Sequence, residues 1–284
     1  MGVNMYKTKL CMATSKSFGL STEEQIRMFR AAGFEGFFTS FDEDIKRCRE
    51  LADELGMEYQ SVHAPASRMG KVWDECEEGD EFVEKIISCI RESAEAGVPI
   101  VVVHTFGGKG WLSTEPNSLG IERIRRIVEE AKRLGVKIAF ENVKKEEYFA
   151  AVMDAFKGYE NVGFCWDTGH QLCFTPEKDM MELYGDRIIC THLNDNLGIS
   201  DFDGRINSQD DLHLLPFDGI GDWEDIVQKL NKFGFDGSLT FEFSIENCDN
   251  RYDNEKYKTI SIEQYIAEAY ARACRVAALK NKNK

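Results

Sequence analysis

The stretch at residues 99–143, PIVVVHTFGGKGWLSTEPNSLGIERIRRIVEEAKRLGVKIAFENV, contains a complete strand–helix–strand unit. Its two ends, PIVVVHTF and VKIAFENV, are short and almost entirely apolar, which is typical of parallel strands covered by helices on both faces. Between them, GIERIRRIVEEAKRLG has a helical pattern that stops at Gly135, directly before the second strand. A helix that ends in glycine just before a strand predicts a short connection between the two.

The same alternation of strand and helix extends along the rest of the chain. Further helical patterns end at Gly33, Gly56, Gly97 and Gly234, and a last helical pattern follows the final strand. Alternating units of this kind imply a parallel sheet, and eight of them favour its closure. We therefore predict an α/β protein with a single (β/α)₈ barrel, or TIM barrel, as one domain over residues 1–284. The predicted strands are residues 7–13, 36–41, 59–64, 100–106, 136–143, 162–168, 188–193 and 237–244.

The composition is that of an ordinary soluble globular protein. The chain has 284 residues, of which 43% are hydrophobic and 30% are charged, and such a barrel typically uses about 250 residues. No apolar run approaches the roughly 20 residues that span a membrane. The first ten residues are polar and lack an apolar signal core. Nine cysteines without a CxxC pair indicate reduced, mostly buried thiols, so we expect a cytoplasmic location.

The net charge of −15 bears on the choice of partner. Binding to a nucleic-acid backbone depends on Lys and Arg side chains that neutralise phosphates. An excess of acidic residues, with no basic stripe, therefore argues against nucleic acid as a partner. The simplest interpretation of the charge is a soluble, self-repelling surface, and we expect no membrane association.

The histidines of the chain are all predicted to lie at, or just past, the carboxyl ends of the barrel strands. They are His63, His104, His170, His192 and His213. Three of them end predicted strands, one follows a strand end, and the last lies in a long Asp-rich loop at residues 194–222. A lone histidine on an apolar face is usually a satisfied core residue. Five histidines at the carboxyl ends of barrel strands, where barrel enzymes place their active sites, instead favour a functional set.

Three carboxylates lie at the same predicted mouth, the end of the barrel at which the strands reach their carboxyl ends. Each lies in an otherwise apolar strand. They are Glu141 in IAFEN, Asp167 in FCWDTGH and Glu242 in LTFEF. An ion pair with Lys or Arg does not explain them, because these strands offer no cation at a matching depth. Buried, unpaired carboxylates are unfavourable, and converging carboxylates repel one another. A divalent cation removes both problems, and carboxylate and imidazole ligands suit Mn²⁺, Zn²⁺, Fe²⁺ or Co²⁺, and Mg²⁺ less well.

The strand pattern also predicts what lies beneath the mouth. Because side chains alternate along a strand, the residue two positions before each mouth residue should point into the barrel one layer deeper. These residues are all small, as a tight barrel interior prefers: Ser61, Val102, Ala139, Cys165, Cys190 and Thr240. Two of them are cysteines, but their position below the mouth argues against a role as soft metal ligands.

Several loop residues near the mouth permit two interpretations. Asp211 and His213 form a D-x-H pair whose side chains would face the same way in an extended loop, so they either reach one ion or belong to an exposed acidic loop. Trp73 and Trp111 either form the apolar wall of a sugar site or cover the barrel edge. Lys109 and Arg205 are further candidates for substrate binding. The GGKG segment that contains Lys109 is not a P-loop, because the Ser/Thr and the full spacing are missing.

Seven short motifs occur in a fixed order along the chain: SVHAP, VVVHTFGG, FENV, WDTGH, HLND, GIGDW and GFDGSLTFE. Together they resemble the xylose-isomerase-like barrel superfamily, which includes sugar-phosphate isomerases and epimerases and also endonuclease IV (AP endonuclease family 2). The resemblance spans essentially the whole chain. It implies a four-ligand metal site at Glu141, Asp167, His192 and Glu242. It also implies that Glu141 and Glu242 act as the catalytic acid/base pair.

The resemblance also implies roles for the remaining histidines. In the isomerases, the position of His170 contacts a substrate oxygen. The endonuclease IV pattern has additional ligands for a cluster of three zinc ions, and all of them are filled here: His63, His104, His170, Asp211 and His213. One departure concerns the epimerases, whose substrate-binding Arg shortly after the seventh-strand His is missing from LNDNLG. Arg205 is the candidate that would replace it.

The function predicted from the sequence is that of a sugar or sugar-phosphate isomerase or epimerase. It would depend on Mn²⁺, Zn²⁺, Co²⁺ or Mg²⁺ and move a proton next to a carbonyl through an enediolate. The alternatives are an endonuclease IV-like zinc phosphodiesterase and a metal-dependent lyase or dehydratase. A non-catalytic binding barrel is disfavoured because it has little need for buried carboxylates. We expect a small-molecule sugar as partner, and the sequence leaves open the sugar, its phosphorylation, and whether the protein is a homo-oligomer.

Overall fold

The structure, a computed structural model, describes residues 8–282. Most of the predicted polar N-terminal segment and the first residue of the first predicted strand lie outside the described residues. The predicted barrel is confirmed: eight parallel strands form one nearly closed sheet. The strands are β1 (Leu10–Ala13), β2 (Gly36–Ser40), β3 (Glu58–His63), β4 (Ile100–His104), β5 (Lys137–Glu141), β6 (Val162–Asp167), β7 (Ile188–His192) and β8 (Leu239–Phe241).

The strands are arranged around the barrel in chain order. Each strand from β1 to β6 pairs in parallel with its successor, and β8 pairs with β1. The barrel closes between β7 and β8 through a bridge from Leu193 to Phe241. There the Leu193 amide donates to the Thr240 carbonyl at 2.8 Å. All eight strands therefore end at the same mouth of the barrel.

Helices fill the connections and cover the outside of the sheet. They are α1 (Thr22–Ala32), α2 (Ile45–Leu55), α3 (Glu77–Glu95), α4 (Ser118–Leu134), α5 (Glu146–Ala155), α6 (Thr168–Phe174), α7 (Met180–Tyr184), α8 (Trp223–Lys232) and α9 (Ile262–Lys282). Short 3₁₀ turns occur at Lys16–Phe18, Met69–Trp73, Gly185–Arg187, Ser208–Asp210 and Glu255–Thr259. No helix in the described part of the chain is long and apolar enough to cross a membrane.

The helix ends follow the predicted signals. Helix α1 begins with a reciprocal capping box, in which Ser21 and Glu24 each bond the other's backbone amide. Helix α4 is followed by Gly135 in the left-handed region at φ 73°, and its amide bonds back to the last turn. The other predicted glycine stops also adopt positive φ, either at the helix end or within two residues of it. Glycine is favoured there because it adopts this conformation without steric penalty.

The eighth strand differs from its prediction. The sequence predicted a strand over residues 237–244, whereas β8 contains only Leu239–Phe241. Beyond Phe241 the backbone leaves the ladder, because the Ser244 amide bonds the His213 carbonyl of the long loop at 3.1 Å. Glu242 therefore lies one residue past the strand, where it faces the mouth.

The predicted inner layer is present beneath the mouth. Val102, Ala139, Cys165 and Cys190 form a separate buried cluster inside the barrel, and each is fully inaccessible to solvent. Ser61 and Thr240 of the same layer are also fully buried. Small side chains close the barrel interior, so the larger polar side chains above them extend toward the open end.

The long loop at residues 194–222 is held by one buried carboxylate. Asp195 accepts hydrogen bonds from the Phe217 amide, the Gly221 amide and the Trp223 indole, each at 2.9 Å. Three donors on one carboxylate fold the far end of the loop back against β7. The part of the loop that carries Asp211 and His213 is held beside it by the backbone, because Asp195 and Leu214 exchange amide-to-carbonyl bonds at 2.9 and 3.0 Å.

We predict that Asp195→Ala destabilises the fold by about 2–4 kcal/mol, because it leaves three donors of the loop without their buried acceptor. The measurement is the free energy of unfolding from urea titration. Asp203→Ala, at an exposed position in the same loop, is the matched control and should change stability by less than about 0.5 kcal/mol. Equal unfolding midpoints for the two variants would contradict the role assigned to Asp195.

Candidate metal centre

The four residues predicted as metal ligands converge at the mouth of the barrel. Glu141, Asp167 and His192 are the last residues of β5, β6 and β7, and Glu242 follows β8. One ligand atom from each lies within 4.8 Å of the others. The first three are buried, whereas 26% of the Glu242 side chain is exposed. The group is thus closed from below and reachable from the mouth.

A second group adjoins the first through the shared Glu141. His63 and His104 end β3 and β4, and their Nε2 atoms lie 3.1 Å apart. Glu141 Oε2 is 3.3 Å from the first of these nitrogens and 3.2 Å from the second. His63 Nδ1 lies 2.8 Å from the Ala64 carbonyl oxygen. When Nδ1 donates to that carbonyl, Nε2 keeps its lone pair for a ligand.

A third group adjoins the first through His170, whose Nδ1 lies 3.1 Å from Glu141 Oε1. His170, in the first turn of α6, places Nε2 at 3.2 Å from Asp211 Oδ2, and Asp211 Oδ1 is 3.2 Å from His213 Nε2. His170 Nδ1 lies 3.0 Å from the Asn142 carbonyl oxygen, which leaves Nε2 facing the group. Of the two interpretations of the D-x-H pair, the geometry favours the one in which both side chains face a common point.

Several buried polar atoms of these groups have no well-aligned hydrogen bond to a described residue, although some lie within ion-pair distance of a neighbouring member of the group. They are Glu141 Oε1, both ring nitrogens of His192, Asp211 Oδ1 and His213 Nδ1. Buried polar atoms are normally paired, so unpaired atoms gathered in one place indicate a missing partner. Carboxylate oxygens and imidazole nitrogens are both suitable ligands for divalent transition metals. The residues present therefore fit a divalent cation.

The electrostatics of the four-ligand group reflect burial and close opposite charges. Burial raises the pKa of Asp167 to about 6. Burial also opposes ionisation of Glu141 and Glu242, but neighbouring histidines, His192 foremost, outweigh it. The pKa of Glu141 is held well below its ordinary value, and the pKa of Glu242 is lowered to about 2. Protons on the histidines and a divalent cation would therefore compete to balance the same carboxylates.

Two asparagines that sequence reasoning missed orient Asp167. Asn194 Nδ2 lies 3.1 Å from each carboxylate oxygen of Asp167. Asn142 accepts from the Asp167 amide and donates to its carbonyl, both at 2.8 Å. Gly169 makes room for this arrangement, since a Cβ there would lie 1.8 Å from Asn194 Oδ1. The sequence does contain a signal for the two asparagines, because Asn142 directly follows Glu141 in FENV and Asn194 lies two positions after His192 in HLND.

The remaining candidates divide between core and surface. Trp73 is 1% exposed, its indole donates to the Thr105 carbonyl at 2.9 Å, and its ring packs against Gly120. It therefore covers the barrel edge and cannot form the wall of a sugar site. Lys109 is exposed in its loop. Trp111 and Arg205 line a separate cavity beside the centre.

Cys165 and Cys190 lie close to His192, with candidate ligand atoms within 4.8 Å of one another. Hydrogen bonding from Cys165 lowers the pKa of Cys190 to about 5, whereas burial raises the pKa of Cys165 well above its ordinary value. Both thiols belong to the inner layer and are fully buried. Their depth favours the predicted packing role.

We predict that Asn194→Ala weakens divalent-metal binding about 10- to 100-fold, because it removes the hydrogen bonds that orient Asp167. Isothermal titration of the metal-free protein with Mn²⁺ or Zn²⁺ measures the effect. Asn207→Ala, at an exposed position of the same loop, should bind the metal like the parent protein. If Asn194→Ala also binds like the parent, Asn194 does not support a metal ligand.

Comparisons with known proteins agree with the fold. A family model described as xylose isomerase-like TIM barrel matches residues 25–269. The chain is 29% identical over 266 residues to the uncharacterized protein y4fM of Sinorhizobium fredii, covering 82% of each chain. The structure is similar to that of D-psicose 3-epimerase from Clostridium cellulolyticum H10, with a TM-score of 0.71 at 13% identity over 95% of this chain and 98% of that one.

A further similar structure is that of an IolI protein with a bound zinc atom. Its TM-score is 0.69 at 17% identity, and the match covers 97% of this chain and 99% of that one. At these identities the structural matches show a shared fold. The family model, by contrast, matches most of the chain. The protein therefore belongs to the xylose isomerase-like TIM barrel family.

Proposed function

We propose that the protein is a divalent-metal-dependent sugar isomerase or epimerase that moves a proton next to a carbonyl group. The observation that carries the proposal is the convergence of two glutamates on one buried histidine at the mouth. His192 Nδ1 lies 3.4 Å from Glu141 Oε1 and 3.0 Å from Glu242 Oε2. Each carboxylate is available beside a donor set that fits a divalent ion.

Four side chains would hold the ion: Glu141, Asp167, His192 and Glu242. When bound, it would act as a Lewis acid toward the carbonyl and an adjacent hydroxyl of the substrate. Asn194 and Asn142 would keep Asp167 in its orientation. The small inner layer closes the barrel below, so a substrate would approach from the mouth.

The two glutamates would transfer the proton. Glu242 is the partly exposed member of the pair, so it is the carboxylate that a substrate in the mouth reaches first. His192 and His213 lower its pKa against the effect of burial, so the carboxylate is ionised, and a proton taken from the substrate would be held weakly and readily given back. Glu141, buried beside the same His192 nitrogen, would return a proton to the enediolate after taking one from a substrate hydroxyl, or Glu242 would return the proton that it holds. Return to a neighbouring carbon gives an isomer, and return to the opposite face gives an epimer.

The family and the similar structures support this class of reaction. D-psicose 3-epimerase is by its name a sugar epimerase, and the IolI structure contains zinc. Nucleic acid is a poor alternative substrate, because a net charge of −15 repels a phosphate backbone. We therefore propose a small-molecule sugar as the partner of this site.

One observation favours a second candidate, a zinc phosphodiesterase like endonuclease IV. The groups His63–His104–Glu141 and His170–Asp211–His213 both adjoin the four-ligand group, the first by sharing Glu141 and the second through the contact of His170 Nδ1 with Glu141 Oε1 at 3.1 Å. Three adjoining groups could hold three ions, which suit the displacement of a phosphate ester. The net charge argues against a DNA substrate, so this function ranks second.

The first prediction here concerns the ligands. Asp167→Ala and His192→Ala should each reduce the divalent metal retained after purification by at least about tenfold, because each removes a direct ligand. Elemental analysis by mass spectrometry gives the metal content per chain. Cys165→Ser, which alters the layer below the centre, should retain the parent's content. Metal retained by both ligand variants but lost from Cys165→Ser would show that the ion lies at the cysteines instead.

The second prediction concerns the acid/base pair. With a panel of ketopentoses and ketohexoses in D₂O, the parent protein should incorporate deuterium next to the carbonyl of its substrate. Glu242→Gln should reduce this exchange by about two or more orders of magnitude, because the amide is not a base. Proton NMR of the sugar measures the exchange.

Glu246→Gln is the matched control, because this glutamate is exposed in the same segment. It should exchange at the parent rate. The phosphodiesterase alternative predicts no exchange and efficient cleavage of duplex DNA at an abasic site. Such cleavage by the parent protein, lost in Glu242→Gln, would reverse the ranking of the two functions.

A further inference from the structure

A cavity of about 770 Å³ opens beside the metal centre. It lies among the loops that follow β4, β5, β6 and β7, and its apolar walls include Trp111, Phe174 and Ile206. The Phe174 ring lies 5.1 Å from the ring of His170, so the cavity adjoins the third ligand group. A space of this size is typical of small-molecule sites.

The charge around this cavity differs from that of the whole chain. The chain contains 35 basic and 50 acidic residues. The cavity lining instead contains similar numbers of cations and carboxylates: Lys144, Lys145, Lys178 and Arg205 against Glu146, Glu147 and Glu177. Whether the cavity suits a ligand with negative charge therefore depends on which of these cations lacks a carboxylate partner.

Three of the four cations are already paired. Lys178 forms an ion pair with Glu146, and Lys145 lies 3.6 Å from Glu147. Arg205, which is largely exposed, pairs with two aspartates of its own loop.

The fourth cation differs from the others. Lys144 is partly buried, and its amino group lies 5.7 Å from the centre of the Trp111 ring. No carboxylate of the described residues lies within salt-bridge distance of Lys144. An aromatic ring holds an ammonium group in place without neutralising its charge. Lys144 therefore offers an oriented positive charge to a ligand in the cavity.

A second observation comes from another residue of the cavity lining. Thr175 lines the same cavity, is only 8% exposed, and its hydroxyl has no hydrogen-bond partner among the described residues. A buried hydroxyl is normally paired, and a hydroxyl can donate to an anionic oxygen. An anionic oxygen would therefore supply the partner that both the Thr175 hydroxyl and the Lys144 ammonium lack.

We propose that this cavity is a subsite for an anionic group that the sugar substrate carries at the end remote from its carbonyl. Lys144 and Thr175 bind the anion, and Trp111 contacts the apolar face of the sugar. The anion is a phosphate or a carboxylate, since both present oxygens to an ammonium and a hydroxyl. A neutral sugar would leave the Lys144 charge and the Thr175 hydroxyl without partners. This inference rests on the proposed function, because it assumes that the carbonyl end lies at the metal centre.

The test uses three probes that differ only at their sixth carbon: D-fructose 6-phosphate, D-fructuronate and D-fructose. Isothermal titration of the full-length, metal-loaded protein measures the affinity for each. We expect at least one anionic probe to bind about tenfold or more tightly than D-fructose. Lys144→Gln should weaken binding of that probe about tenfold and leave D-fructose unchanged, since a charged hydrogen bond is worth about 1.5–3 kcal/mol.

Lys145→Gln is the matched control, because it removes the same charge from the adjacent residue of the same loop, where Glu147 already neutralises it. It should leave all three affinities close to those of the parent. Thr175→Val keeps the shape of the side chain but removes the hydroxyl, and it should weaken the same anionic probe several-fold. The probe that shows these losses identifies the anion as phosphate or carboxylate.

The subsite is disproved if the three probes bind alike, if neither anionic probe binds, or if Lys144→Gln has no larger effect than Lys145→Gln. These outcomes are separate from those of the proposed reaction, because the measurement is binding. If a neutral and an anionic ketose exchange deuterium at the same rate, and Lys144→Gln does not change that rate, the proposed reaction is supported and the subsite is disproved. A Lys144-dependent preference without exchange of any sugar supports the subsite and overturns the reaction.

Discussion

Buried negative charge at the mouth of the barrel is the constraint on which the rest of the site depends. Glu141 and Asp167 are almost inaccessible to solvent, and Glu242 lies beside them. Uncompensated carboxylates are strongly unfavourable in such surroundings. Histidines compensate them in part, since His192 Nδ1 lies 3.0 Å from Glu242 Oε2, yet His192 Nε2 has no hydrogen-bond partner among the described residues. A divalent cation satisfies the carboxylates and the imidazole together, and this is why we place one there.

The surrounding architecture serves this arrangement. The barrel brings strand ends from distant parts of the chain to one mouth, and the small inner layer supports them from below. The Asp195 carboxylate holds the far end of the long loop, and backbone bonds between Asp195 and Leu214 hold the segment that carries Asp211 and His213. Asparagine side chains complete the arrangement, because Asn194 bonds both carboxylate oxygens of Asp167. Each of these interactions restricts a polar group that would otherwise have several orientations.

The sequence predicted the fold well because its signals are local. Apolar strands, helix caps and stops such as Gly135 require only neighbouring residues, and the two-residue periodicity placed Cys165 and Ala139 in the inner layer. Features set by contacts between distant segments were missed. Trp73 was a candidate for the sugar wall, but its burial depends on Gly120, 47 positions later in the chain. Lys144 gave no signal either, since its lack of a carboxylate partner emerges only when the mouth loops are assembled.

The measurement that tests the central claim most directly is anomalous X-ray diffraction from crystals of the protein as purified, recorded on both sides of the absorption edge of the metal found in it. The account predicts an anomalous peak among the side chains of Glu141, Asp167, His192 and Glu242. Further peaks beside His63 and His104, or beside His170 and His213, would show additional ions and would be compatible with the account. A fully ordered mouth with no peak among these four side chains, or with the metal bound by Cys165 and Cys190 instead, would contradict the account.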